Sequence, residues 1–213
     1  MLSILFPPKC VLCHRLLDKQ QTDLCHDCRE KAPDFTKAKR NIPFIAHWTA
    51  LWYYSDDVRK SIHRFKFGNR RGYAMSYARL LAAKLENAPG FDYDILTWVP
   101  VSALRKLKRG YDQSELIVKA LDENMGTVGK KILKKIRHTP PQSGIRGEAH
   151  RRANVLGAYA VIDKASVVGK KILLIDDVIT TGATASECAK VLLIAGAKEV
   201  KFAAVAAAHH DKK

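Results

Sequence analysis

The stretch Lys171–Thr184 reads KILLIDDVITTGAT, and its order of residue types decides the fold. An apolar run, Ile172–Ile175, leads directly into two adjacent carboxylates, Asp176 and Asp177. Val178 and Ile179 follow, then a small hydroxyl-rich turn, Thr180-Thr181-Gly182-Ala183-Thr184, and a helical pattern from Ala185 to Leu192. A continuous apolar run bounded by turn residues suits a strand buried on both faces of a parallel sheet. Strand, turn and helix in that order put the turn at the carboxyl edge of the sheet, where open α/β folds bind ligands.

The turn has a chemistry of its own. Backbone amides at a helix start, reinforced by the helix dipole, bind phosphate, and Gly182 lets a ligand approach the backbone closely. Asp176 and Asp177 repel phosphate but can accept hydrogen bonds from sugar hydroxyls a few ångströms away. Acid pair, hydroxyl turn and helix together therefore read as a site for a ribose 5-phosphate. An incidental helix cap is the bland alternative; two carboxylates at a buried edge are costly without a partner, which counts against it. The chain contains neither G-x-G-x-x-G nor G-x-x-x-x-G-K-[ST], so neither a Rossmann dinucleotide site nor a P-loop is supported.

The 213 residues allow one α/β domain plus a small appendage, and 47% hydrophobic with 27% charged residues is a globular composition. The charge is lopsided: 37 Lys and Arg against 21 Asp and Glu give +16. That excess favours polyanionic partners, either phosphate-rich small molecules or nucleic acid. No apolar run approaches a membrane span, and Met1–Phe6 is too short for a signal h-region before Pro7-Pro8. A cytoplasmic location is expected, where thiols stay reduced.

Four cysteines form two pairs, Cys10-x2-Cys13 and Cys25-x2-Cys28, with eleven residues between them. Each pair can make a knuckle that offers two thiolates to one tetrahedral ion, so a structural zinc site is expected. Disulfides are the alternative, and the reducing compartment argues against them. Cys188 falls on the apolar face of the last helix as a core residue. The small element ends near residue 36, in the Pro-bounded link Pro33–Pro43. Strands are expected at Ala46–Tyr54, Ile95–Val101, Lys131–Ile136, Gly157–Ile162 and Val200–Ala208. Helices are expected at Asp56–Phe67, with a capping acid, and at Tyr73–Leu85 and Glu115–Leu121. Their alternation predicts a mainly parallel sheet.

Two basic segments lie between these elements. Leu104–Ser114 (LRKLKRGYDQS) reads as a cationic loop after a buried strand, placed to hold phosphate or pyrophosphate, although solvated charged turns are common. Arg137–Asn154 (RHTPPQSGIRGEAHRRAN) is cationic and Pro-broken, and longer than ordinary connections, as lids and binding loops are.

IDDVITTGAT resembles the phosphoribosyl-pyrophosphate (PRPP) signature of type I phosphoribosyltransferases. The paired cysteines, VPV followed by RGYDQSE, and TPPQSG make the chain similar to the ComF/GntX family. The resemblance implies a type I phosphoribosyltransferase-like α/β fold over residues 44–213, with 44–92 as a hood region. It implies a four-cysteine, double zinc-ribbon-like element over residues 1–36. Asp176 and Asp177 would meet the ribose hydroxyls, and Thr180, Thr181, Gly182, Ala183 and Thr184 the 5-phosphate. Arg105, Lys108, Arg109 and Arg137 are candidates for the pyrophosphate side. Mg2+ would accompany PRPP, and Zn2+ would sit on Cys10, Cys13, Cys25 and Cys28. The resemblance leaves three roles open. One is a transferase releasing pyrophosphate. Another is a competence protein handling single-stranded DNA during natural transformation beside a helicase partner. The third is a PRPP-sensing regulator.

Overall fold

In a computed structural model, residues 7–36, 38, 40–127, 129–140 and 147–209 are described. The described elements run α1 (His26–Lys31), β1 (Trp48–Tyr53), α2 (Asp56–Phe67), α3 (Tyr73–Glu86), β2 (Ile95–Trp98), α4 (Ala103–Arg109) and α5 (Gln113–Met125). They continue with β3 (Leu133–Lys135), α6 (Glu148–Val155), β4 (Tyr159–Val161), β5 (Lys171–Ile179), α7 (Ala183–Ile194) and β6 (Glu199–Ala207). Four strands form a wholly parallel sheet in the order β1-β6-β5-β2, while β3 and β4 make a separate antiparallel pair.

The apolar run of β5 behaves as a strand covered on both faces. Leu173 and Ile175 join the core on the α2, α3 and α5 side. Ile172 and Leu174 join the core on the α7 side. The strand's period of two sends alternate side chains to opposite faces, so both faces must be apolar. On α2, Val58, Ile62 and Phe65 are buried, as their i, i+4, i+7 spacing predicts. Ser55 rather than an acid occupies the N-cap of that helix; Asp56 and Asp57 lie in its first turn.

Residues 44–92 supply β1, which pairs with β6, and the two helices across one face of the sheet. The link at 33–36 runs along the outer edge of β1, with Tyr53 N donating to Pro33 O at 2.7 Å and Phe35 N to Leu51 O at 2.9 Å. That covering blunts an edge strand.

Two further readings change. Leu104–Arg109, expected as a loop, is helical: it is rich in helix formers, begins after Ser102 and stops at Gly110 in the left-handed region. The segment 137–154, expected to be irregular, ends in α6. The part of TPPQSG beyond Pro140 lies outside the described residues.

The cysteine element is packed onto the main domain. Val11, Leu12 and Leu24 are buried in one core with Val58, Ile62, Phe65, Tyr73 and Tyr77. Ser61 Oγ on α2 donates to Val11 O, Arg64 to Leu12 O, and Arg79 Nε to Asp23 Oδ2 at 2.9 Å. Among the described residues no helix is long and apolar enough to cross a membrane.

Candidate functional site

At the carboxyl edge of the sheet lies a cavity of about 320 Å³. Asp176, Asp177 and the whole turn Thr180–Thr184 line it, facing Arg105 and Arg109 of α4. Lys66, from the end of α2, and Lys135 and Tyr159, from the small antiparallel pair, complete the wall. Four cations therefore face two carboxylates. Lys108 is exposed on α4 and Arg137 donates to Asn154 O and Leu156 O; neither lines the cavity.

Consecutive strand residues point to opposite sides, so the two carboxylates have different neighbours. Asp177 pairs with Lys66 Nζ at 2.8 Å. Asp176 Oδ1 accepts from Ser114 Oγ at 2.9 Å and from Asp177 N at 2.8 Å. Burial, then the Asp177 charge, push the Asp176 carboxyl up to about 8, while the Asp177 amide, Lys66 and Ser114 pull the other way. Burial, helped by Arg105, lowers Lys135 to about 8. Its ammonium lies 5.0 Å from the centre of the Tyr159 ring.

The turn is built for close approach. Gly182 is the N-cap of α7 at φ 80, so no side chain caps the helix, and Ala183 N reaches Thr181 Oγ1 only at 3.4 Å. A Cβ at Gly182 would stand 3.1 Å from Ile42. Arg40 donates to Thr180 O and holds the turn from outside. Helix-start amides without a side-chain cap, at the positive end of the macrodipole, attract an anion.

RGYDQSE organises the opposite wall. Arg109 lines the cavity and Nη1 donates to Gln113 Oε1 at 2.8 Å. Gly110 supplies the left-handed turn (φ 78), and Tyr111 donates to Phe65 O, tying α2 to this wall. Asp112 caps α5, accepting from Ser114 N and Glu115 N, and with Oδ2 accepts from Val101 N at 2.9 Å. Ser114 holds Asp176, and Glu115 pairs with Lys106 at 2.7 Å and Lys119 at 2.9 Å. Arg105 reaches across to Thr139 O at 2.7 Å.

Lys66, Lys135 and Tyr159 were not legible as site residues. The sequence shows Lys66 only as part of the basic face of α2, and Lys135 as one of several lysines on a short strand. Ser114 did carry a signal, as a hydroxyl between the basic segment and a helix.

Far from this edge in sequence, the N-terminal cysteines converge too. The Sγ atoms of Cys10, Cys13, Cys25 and Cys28 all lie within 4.8 Å of one another, with Cys13 and Cys25 3.6 Å apart. Four thiolates about 2.3 Å from one Zn2+ would be about 3.8 Å apart, so the donor set fits tetrahedral zinc. All four ligand positions are filled by protein, which makes the site structural.

Comparison with known proteins places a known domain over each of the two regions. A phosphoribosyl transferase domain matches residues 101–213, and a double zinc ribbon domain matches residues 1–39. The chain is 28% identical over 183 residues to Competence protein F of Haemophilus influenzae, covering 83% of this chain and 75% of that one. It is 28% identical over 201 residues to DNA utilization protein YhgH of Salmonella typhimurium, covering 90% and 87%. It is 27% identical over 225 residues to Competence protein ComFC of Streptococcus pneumoniae, covering 91% and 97%. With the acid pair, the uncapped helix start and the facing cations at one sheet edge, the chain belongs to the phosphoribosyl transferase domain family and carries a double zinc ribbon at its N-terminus.

Proposed function

We propose that this cavity binds PRPP together with Mg2+, and that the protein serves DNA uptake as a cytoplasmic competence factor. The observation that carries the ligand is the juxtaposition, in one cavity, of the acid pair, the hydroxyl turn and four cations. PRPP carries a phosphate at one end, vicinal hydroxyls in the middle and pyrophosphate at the other, which matches that order. Asp176 and Asp177 accept hydrogen bonds from the ribose hydroxyls, and the amides of Thr181–Thr184 hold the 5-phosphate. Arg105, Arg109 and Lys135 are the cations for the pyrophosphate. Mg2+, when bound, neutralises charge on hydroxyl and pyrophosphate oxygens and keeps most of its ligands as water or substrate. The assignment to DNA uptake follows the names of the relatives, which include two competence proteins and a DNA utilization protein.

As a transferase, the protein would direct a nucleophile to C1 of PRPP. The bond to the new group forms as the bond to pyrophosphate breaks, and pyrophosphate leaves with the bonding pair. The cations stabilise that leaving group, and the bound geometry supplies the positioning. Titration calorimetry with PRPP and Mg2+ tests the site. The double variant Asp176→Asn, Asp177→Asn should lose binding; unchanged affinity refutes the assignment. Pyrophosphate release from PRPP, screened across nitrogen acceptors and single-stranded DNA, tests turnover.

PRPP sensing is the second reading, and one chain of contacts favours it. Lys66 holds Asp177, while Ser61 and Arg64 of the same helix hold ribbon carbonyls. A ligand that displaces Lys66 acts directly on the helix that carries the ribbon.

A further inference from the structure

We infer that Gln113 is a positioning residue: its side chain orients Arg109 at the cavity without neutralising it, so that Arg109 and Arg105 present undiminished charge to a pyrophosphate group. Both arginines come from α4 and line the cavity. Each is held by a neutral acceptor. Arg109 Nη1 donates to Gln113 Oε1 at 2.8 Å, and Arg105 Nη2 donates to the Thr139 carbonyl at 2.7 Å. The ring of Phe67, its centre 4.9 Å from the Arg109 guanidinium, is a further neutral support. Among the described residues neither arginine forms an ion pair. The lysines around them are held differently: Lys106 and Lys119 share Glu115, and Lys66 pairs with Asp177. Burial, then the neighbouring charge of Arg109, pull Arg105 below the ordinary guanidinium range, as expected of two cations with no carboxylate to share.

Packing does not explain a glutamine at this position. Gln113 is 1% exposed, and because a guanidinium can only donate, the amide must turn its oxygen towards Arg109. Its Nε2 is then buried with no hydrogen-bond partner among the described residues. An unmet buried donor costs stability, so an apolar side chain of similar volume would serve the core at least as well. A glutamate would meet Arg109 equally well but would cancel its charge, as Glu115 does for its lysines. Glutamine does what neither of these can: it fixes the guanidinium and leaves its charge for phosphate oxygens, which a guanidinium meets with parallel N–H groups. That the anion is the pyrophosphate of PRPP rests on the reading above; the neutral tether stands on the geometry.

Titration calorimetry with PRPP and Mg2+, beside ribose 5-phosphate as the probe that lacks pyrophosphate, tests the proposal. Gln113→Glu and Gln113→Met should each weaken PRPP binding by about 10- to 150-fold. Affinity for ribose 5-phosphate should stay within about 2-fold. Gln113→Met should melt no lower than the wild type, whereas a residue that merely braced the fold would lose stability and both ligands together. In an Arg109→Met background, Gln113→Met should cost less than about a further 2-fold, because Gln113 acts through that arginine. Wild-type affinity for PRPP in Gln113→Glu, equal losses for the two ligands, or additive losses in the double variant overturns the proposal and leaves the PRPP reading standing. If the wild type does not bind PRPP, the PRPP reading fails. Magnesium pyrophosphate then takes its place as the probe, and both Gln113 variants must weaken its binding for this inference to stand. A wild type that binds neither overturns both.

Discussion

Replacing Asp176 by Asn should stabilise the ligand-free protein at pH 8 while abolishing the proposed binding of PRPP. The Asp176 carboxyl is pushed up to about 8, by burial first and by Asp177 second. In an unfolded chain the same group titrates near 3.9. Between those values the native state holds a proton that the unfolded state has released, so stability falls as pH rises. The slope reaches about 1.4 kcal/mol per pH unit. Below about pH 4 the group costs nothing, and above about pH 8 the cost is complete. From pH 5 to pH 8 the ceiling is about 4 kcal/mol, reduced because Asp176 opens in part to the cavity.

Asparagine keeps an oxygen for Ser114 and for the Asp177 amide, and carries no charge to desolvate. At about 2–4 °C per kcal/mol for a chain of this size, the melting-temperature gap should widen by several degrees from pH 5 to pH 8, with the variant higher. Lys135 acts outside this window: pushed down to about 8 in the fold, it adds stability only as pH rises from there towards its unfolded value. Differential scanning calorimetry of both proteins at four pH values measures the gap. Parallel curves would show that Asp176 titrates as an ordinary carboxylate and would refute the reasoning.

Cys28→Ser should lose the bound zinc, seen by metal analysis, and lower the melting temperature, because Val11, Leu12 and Leu24 then release the α2–α3 face they cover. Gly182→Ala should cost about 1–2 kcal/mol for a side chain in the left-handed region, and should weaken PRPP binding as the phosphate turn shifts away from Ile42. Calorimetry should separate the arginines: Arg105→Ala weakens PRPP binding, whereas Arg137→Ala leaves it nearly unchanged, since Arg137 is held by Asn154 and Leu156 carbonyls away from the cavity. Equal effects would show that the segment after β3 closes on the ligand.

Several features were legible because they depend on neighbours in sequence. The double-faced burial of β5 follows from the unbroken run Ile172–Ile175, which leaves no polar face for solvent. The cysteine cluster follows from two C-x2-C knuckles, each of which sets its thiolate pair locally. The basic segment after β2 was legible as site material but not as helix. Its charge suggested a loop, while its run of helix formers before Gly110 settled the backbone.

By itself, the sequence determined the acid pair, the phosphate-ready helix start, the metal ribbon and the parallel α/β class. In each of these the chemistry and its geometry are carried by residues a few positions apart. Only the tertiary structure decided that Lys66 reaches Asp177 across 111 positions, that Lys135 and Tyr159 close the wall, and that Lys108 and Arg137 do not. It also decided that the ribbon shares a core with α2 and α3. A lysine's position in sequence sets its charge, but helix and sheet packing sets where that charge arrives, and the site is made from the arrivals.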